Sequence, residues 1–310
     1  MASAPDASLP PPSKKWKPLS FDGSVDIGTA IDAIYWSCWS HWRANEDAAR
    51  DGRNPEGVHQ LRVGLRRARS ATTLFKSELA MEWVTWFSAE AKWSLSFLGP
   101  ARDWDVFLSE LLPPVRSANP NGSDFGVLED LAEQKRVDAY GSVREGLGSD
   151  RYRRFCCDFE SWLSAMAVHD GIGARPLRQM ATMLLNKRHE QVMRRGTNFE
   201  TLPPAERHRV RMALKKLRYA VEFFESLYPA NRITQYKQAL KRMQDDLGHL
   251  NDISVANRLL TELGDLAGTR KPLDASSELL RDWYARRLLE VEPAILENWQ
   301  NLRQTRPFWV

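Results

Sequence analysis

His59, Arg62, Arg66 and Arg69 follow one another at intervals of three, four and three residues. His208, Arg211, Lys215 and Arg218 repeat those intervals 149 residues later. On an α-helix, steps of three and four return side chains to one face, so each set forms a single stripe of cationic or protonatable groups. The chemistry open to such a stripe is anion capture. A guanidinium grips two phosphate oxygens at once, an ammonium acts as a point charge, and an imidazole donates either neutral or charged. Like charges at these spacings repel by a few tenths of a kcal/mol per pair. The stripes themselves contain no carboxylate, so an external polyanion is the expected neutraliser.

The stripes lie in a longer duplication. The segment from Val58 to Phe75 aligns without gaps on that from Arg207 to Phe224, and Leu98-Gly99 with Asp103 aligns on Leu247-Gly248 with Asp252 at the same separation. Two motifs sharing one offset imply two related halves. Identity holds at His59/His208, Arg62/Arg211, Leu65/Leu214, Arg69/Arg218, Ala71/Ala220, Phe75/Phe224 and Ser77/Ser226, and charge at Arg66/Lys215 and Arg67/Lys216. Leu61, Leu65, Ala68 and Phe75, with Val210, Leu214, Leu217 and Phe224, occupy the adjoining face and are expected to be buried. Arg67 and Lys216 point away from the stripes but keep their charge across the repeat.

Other residues extend the list. Arg102 follows the first Leu-Gly step. The segment before the second His motif carries Lys187, Arg188, Arg194 and Arg195, of which Lys187 and Arg194 are the preferred additions. Asp103 and Asp252 read as helix caps or as ion-pair partners of a nearby arginine. A metal reading of the histidines fails: the positions three and four residues on are Arg62 and Val63, and Arg211 and Met212, none of them an ordinary ligand. No P-loop, no Ser-His-Asp order and no acidic metal cluster is present in the sequence, so no catalytic residue and no cofactor is assigned.

The elements that must position these groups are helical. Apolar residues recur at three- and four-residue spacing through most of the chain. Helices are expected from Ile27 through Trp42 toward Asp51-Gly52, after Asn54-Pro55, and over about 81–98, 102–112, 124–146, 150–168, 174–195, 204–228, 231–247, 249–264, 274–291 and 293–304. Gly99-Pro100, Pro113-Pro114, Gly171, Pro203-Pro204, Pro229 and Pro272 read as breaks. No alternating strand with a hairpin turn is found. The class is all-α, and the short links imply antiparallel helical bundles.

Composition limits the rest. The chain has 310 residues, 43% hydrophobic and 27% charged, with 44 Lys and Arg against 40 Asp and Glu. A sizeable core is expected, and the net charge of +4 carries weight only if the cations cluster. No stretch suits a transmembrane helix or a secretory signal, so no membrane partner is expected. Residues 1–20, rich in Pro, Ser and Lys, are expected to form a disordered arm. Cys38, Cys156 and Cys157 suggest no disulfide framework or zinc site, and a reducing cytoplasm is the default setting. The twelve tryptophans, spaced helically at 36 and 39 and at 83 and 86, read as core or oligomer-surface residues.

These motifs resemble those of the CHAD family, the conserved histidine α-helical domain. VHQLRVGLRRARS and RHRVRMALKKLRYAVEFF have the family's His, then Arg three residues on, then a basic cluster. LGPARDWDVF and LGHLNDISVA resemble its paired Leu-Gly…Asp motifs. Asn251 stands where the first copy has Arg102, a departure from even charge. The resemblance implies one domain over 21–306, with halves at about 24–168 and 174–305, built as two pseudo-two-fold-related helical bundles around a basic central cavity. It also implies a stand-alone, non-catalytic binder of inorganic polyphosphate at cytoplasmic polyphosphate granules, with granule-associated proteins as possible partners. Polyphosphate contacts are then expected from His59, Arg62, Arg66, Arg67, Arg69, Arg102, Lys187, Arg194, His208, Arg211, Lys215, Lys216 and Arg218. The alternative is a nucleic-acid binder using the same basic faces.

Overall fold

Eleven α-helices carry the fold among the residues described in this computed structural model, which are 9–119, 125–166, 176–267 and 271–310. In the N-terminal half they are α1 (Ile27–Arg43), α2 (Glu46–Asp51), α3 (Glu56–Leu74), α4 (Met81–Val106), α5 (Leu112–Ala118), α6 (Gly126–Gly148) and α7 (Asp150–Met166). The C-terminal half has α8 (Leu177–Arg195), α9 (Pro204–Phe224), α10 (Ala230–Ala267) and α11 (Lys271–Gln304). The extended pairing present is one isolated bridge, Asp26 with Pro176. The arm's first eight residues, Gly171 and the expected start of the second half at 174 lie outside the described residues.

Local sequence sets the helix starts. The Asp26 carboxylate accepts the backbone N–H of Thr29 at 2.8 Å and caps α1. Pro204 opens α9, where its missing N–H costs no helical bond. Several expected breaks are absent. Gly99-Pro100 lies inside α4, which runs into a π-helical turn at Phe107–Leu111. Pro100 forfeits one backbone bond and the helix continues past it. The expected pair 231–247 and 249–264 is one helix, α10, and Pro293 lies within α11. Asp103 and Asp252 are therefore mid-helix residues rather than caps.

The duplication extends to the architecture. Shifted by 149 residues, α1 falls on 176–192, α3 on 205–223, α4 on 230–255 and α6 on 275–297, against the observed α8, α9, α10 and α11. The same neighbours recur in each half: α1 packs on α3 as α8 does on α9, α3 on α4 as α9 on α10, and α4 on α6 as α10 on α11. α3 and α9 also touch each other. Phe75 and Phe224, equivalent in the repeat, meet edge to face with ring centroids 6.0 Å apart. Equivalent residues in mutual contact place the pseudo-two-fold axis between α3 and α9.

Leu61, Leu65, Ala68, Phe75, Val210, Leu214, Leu217 and Phe224 are fully buried, which fixes the rotation of both His-Arg helices. Gly64 lets α3 close on α1, since a Cβ there would lie 3.0 Å from the Trp42 Cα. Trp39, Trp42 and Trp83 are core residues, and Trp83 stacks on Trp162 at 3.7 Å.

Residues 14–21, at the end of the expected arm, lie along the helices as a strap. The Lys14 N–H donates to Asn45 Oδ1 at 2.8 Å, the Trp16 indole donates to Ser37 Oγ at 2.8 Å, and the Phe21 N–H donates to Ser226 Oγ at 2.9 Å. Phe21 is buried, which gives the strap its apolar anchor. The strap thus bonds to α1 and its flank in one half and to Ser226 in the other.

Candidate functional site

Packing α3 against α9 brings the two stripes to a common cavity of about 680 Å³. His59, Arg62, Arg66 and Arg69 line it from α3, and His208, Arg211, Lys215 and Lys216 from α9. α4 adds Arg102 and Asp103, the π-helical turn after it adds Glu110, and α10 adds Asn251 and Asp252. Beside the two imidazoles, Tyr219 is the aromatic ring on the wall among the described residues.

Counter-charges are unevenly spread. Arg102 pairs with Glu110 at 3.1 Å, and Asp103 is held from across the molecule by Arg258 at 2.6 Å. Arg211 donates to the Asn251 amide oxygen at 3.0 Å. Arg62, Arg66, Arg69, Lys215 and Lys216 form no ion pair with the described residues. Arg62 is 8% exposed and passes beside Gly99, where a Cβ would lie 3.2 Å from its Nη1. The equivalent Gly248 faces open space. The first Leu-Gly motif thus makes room for an arginine, and the second does not need to.

Crowded, desolvated cations lower one another's proton affinity. Burial, then Arg66, pulls Arg62 down to about 10. Burial, then Arg211, Arg66 and Arg218, pulls the Lys215 ammonium down to about 7, with Asp252 as a weak opposing charge. Burial and Arg102 lower His59, and burial with Arg211 and Lys215 lowers His208. Asp252 moves the other way: its burial raises it. An anion placed among these groups reverses the cationic shifts.

Four sequence-selected residues lie elsewhere. Arg67 is buried behind the cavity, pairs with Glu222 at 2.6 Å, and stacks on Trp16 of the strap at 4.2 Å. Arg218 turns to the same carboxylate at 3.5 Å and lines a neighbouring cleft. Glu222, four residues after Arg218, is the counter-charge the stripe reading left out. Lys187 and Arg194 face solvent on α8. Their sequence neighbours, half-buried Arg188 and exposed Arg195, do not line the cavity either but lie close enough to weigh on Lys216. Lys216 lines the cavity although its spacing sets it off the stripe. Thr73, Ser70 and Tyr219 also line the cavity without any sequence signal beyond their place on these helices.

Among the described residues no group of three His, Cys, Asp or Glu side chains is placed to hold a metal ion, and no helix is long and apolar enough to cross a membrane.

Comparison with known proteins accords with this arrangement. No curated protein sequence matches the chain. The chain is similar to the crystal structure of the CHAD domain from the plant Ricinus communis, with 27% identity and a TM-score of 0.82, over 95% of this chain and 98% of that one. PptA from Streptomyces chartreusis shares the fold at 18% identity and a TM-score of 0.65, over 88% of this chain and 99% of that one. The CHAD domain family model matches residues 33–261, a span that takes in both His-Arg helices and the cavity between them. With two duplicated helical halves closing on a basic cavity, the chain belongs to the CHAD domain family.

Proposed function

We propose that the chain binds inorganic polyphosphate in the cavity between α3 and α9, as a non-catalytic module that associates with polyphosphate granules in the cytoplasm. The observation that carries this reading is the excess of unpaired cations. Arg62, Arg66, Arg69, Lys215 and Lys216 face one space without ion-pair partners among the described residues, and Lys215 is pulled down to about 7 by burial and its neighbours. Such a site is short of negative charge, and a linear phosphate polymer supplies it at every monomer. Arginines contribute bidentate contacts and counterion release adds to affinity, as on nucleic-acid backbones. Of the three carboxylates on the wall, Asp103 and Glu110 are engaged by Arg258 and Arg102, and Asp252 accepts from the Asn251 amide at 3.4 Å, which supports reading them as positioning groups.

Nucleic-acid binding through the same faces is the second reading. Base recognition on single strands relies on stacked aromatic platforms, and beside the imidazoles of His59 and His208 the cavity offers one such ring among the described residues, Tyr219. Competition separates the two. Long-chain polyphosphate should displace labelled RNA at far lower monomer concentration than RNA displaces polyphosphate. Replacing Arg62, Arg66, Arg211 and Lys215 together by Ala should weaken polyphosphate binding by about 100-fold or more with the helical circular dichroism unchanged. Equal displacement in both directions, or full affinity in that variant, rejects the reading.

A further inference from the structure

The two halves are equivalent in sequence, yet the two ends of the cavity are not. At the end facing α1, Arg67 and Arg218 share the Glu222 carboxylate, and Trp16 of the strap covers the Arg67 guanidinium. The repeat places Lys216 at the position of Arg67, Arg69 at that of Arg218, and Thr73 at that of Glu222. There the carboxylate is replaced by a hydroxyl, and Lys216 and Arg69 have no ion-pair partner among the described residues on the cavity wall.

α8 completes the contrast. Its Arg188 and Arg195 correspond to Trp39 and Glu46 of the first half. Trp39 is in the core, and Glu46 is buried and paired with Arg43. Arg188 instead donates to the Thr73 carbonyl at 2.9 Å, at the cavity wall, and Arg195 donates to the Arg209 carbonyl at 3.3 Å. Neither has a carboxylate partner among the described residues. Burial lowers Arg188, and Arg188, Arg195 and Arg69 all depress Lys216. Four cations thus gather without an ion-pairing acid among the described residues, where the repeat-equivalent cluster of Arg67 and Arg218 carries an acid and an aromatic cover.

We propose that Arg188 and Arg195 of α8, with Lys216 and Arg69, form an outer anion subsite through which a linear phosphate polymer leaves the cavity on one side only. This deepens the polyphosphate reading and rests on it. A short oligophosphate fills the inner stripes and never reaches α8. A long chain continues past Lys216 onto Arg188 and Arg195, whereas the equivalent Arg67 and Arg218 are taken up by Glu222.

The test uses the full chain, tripolyphosphate as the short probe and polyphosphate of about 100 monomers as the long one, each titrated at two salt concentrations. The double variant Arg188→Gln with Arg195→Gln should lose about tenfold or more in long-chain affinity, with a shallower salt dependence. Its tripolyphosphate affinity should stay within about twofold. Lys187→Gln with Arg194→Gln removes the same charge from the outward face of the same helix and should leave both probes within about twofold. Equal losses for both probes, or no loss for the long one, overturn the outer subsite while leaving the inner one standing. Equal effects of the two double variants also overturn it, since net charge alone would then explain the loss. If the unaltered protein binds neither probe, the polyphosphate reading itself fails and the subsite with it.

Discussion

The depressed Lys215 ammonium makes binding a proton-uptake reaction. In the empty cavity the group titrates near about 7, because burial and the cations Arg211, Arg66 and Arg218 oppose its charge. A bound polyanion favours the charged form and raises that value toward the ordinary lysine range of about 10.4. Below about 7 both states hold the proton and binding costs nothing extra. Above it the free protein must take up a proton to bind, so affinity falls as pH rises. With the free value at about 7, the affinity drops roughly tenfold from pH 6 to pH 8 and roughly 100-fold by pH 9. Proton uptake at pH 8 should be about 0.9 per chain bound. Isothermal titration at pH 8 in buffers of different ionisation enthalpy measures that uptake directly. A long polymer is used because its terminal phosphates, titrating near about 6, are then a negligible fraction. Lys215→Arg keeps the charge at every pH in this window and should bind with nearly flat affinity from pH 8 to 9, above the range in which His59 and His208 exchange protons, with uptake at pH 8 cut to a small remainder. A flat profile with zero uptake in the unaltered protein refutes the reasoning, as does a Lys215→Arg profile that falls as steeply over that range.

The same residue works against the fold. The unfolded chain holds the Lys215 proton more tightly than the empty folded one, so stability rises with pH between about 7 and 10; Lys215→Met should stabilise the empty protein by about 1–2 kcal/mol at pH 7 while weakening polyphosphate binding, as read by urea unfolding and titration. Glu222→Gln removes the carboxylate shared by Arg67 and Arg218 and leaves buried Arg67 uncompensated; unfolding in urea should show a loss of about 2–4 kcal/mol, and an unchanged midpoint would contradict the pairing. Gly99→Ala places a methyl 3.2 Å from Arg62 Nη1 and should weaken polyphosphate binding several-fold, whereas Gly248→Ala, facing open space, should leave binding unchanged and stabilise its helix by about 0.5–1 kcal/mol.

The all-helical class and the opposition of the two stripes were legible because the apolar rows beside them fix which way α3 and α9 turn. Leu61, Leu65 and Ala68 must face the core, so His59, Arg62 and Arg66 face the cavity. What escaped was set by partners distant in the chain. Arg67 and Lys216 are equivalent by sequence; Arg67 is sequestered because Trp16 and Glu222 reach it from the strap and from the other half. At 187–188 and 194–195 cations come in adjacent pairs, and a rotation of about 100° per residue decides which of each pair lies close enough to weigh on Lys216. That rotation follows from α8 packing on α9, which no local pattern reveals. Gly99-Pro100 and Pro293 look like helix ends by composition, but packing along the neighbouring helices carries α4 and α11 through them. The path of residues 14–21 depends on single bonds to Asn45, Ser37 and Ser226 and on the burial of Phe21, contacts that a Pro- and Lys-rich composition conceals.

The touching pair Phe75 and Phe224 has a consequence for what such a molecule can become. A surface that meets its own copy across an axis is the isologous interface of a two-fold homodimer. In a dimer of identical subunits any substitution appears twice, so both mouths of a shared tunnel must open or close in step. Joining the two copies into one polypeptide removes that constraint. One mouth can be plugged while the other is left bare, and a symmetric ring becomes a holder with a front and a back.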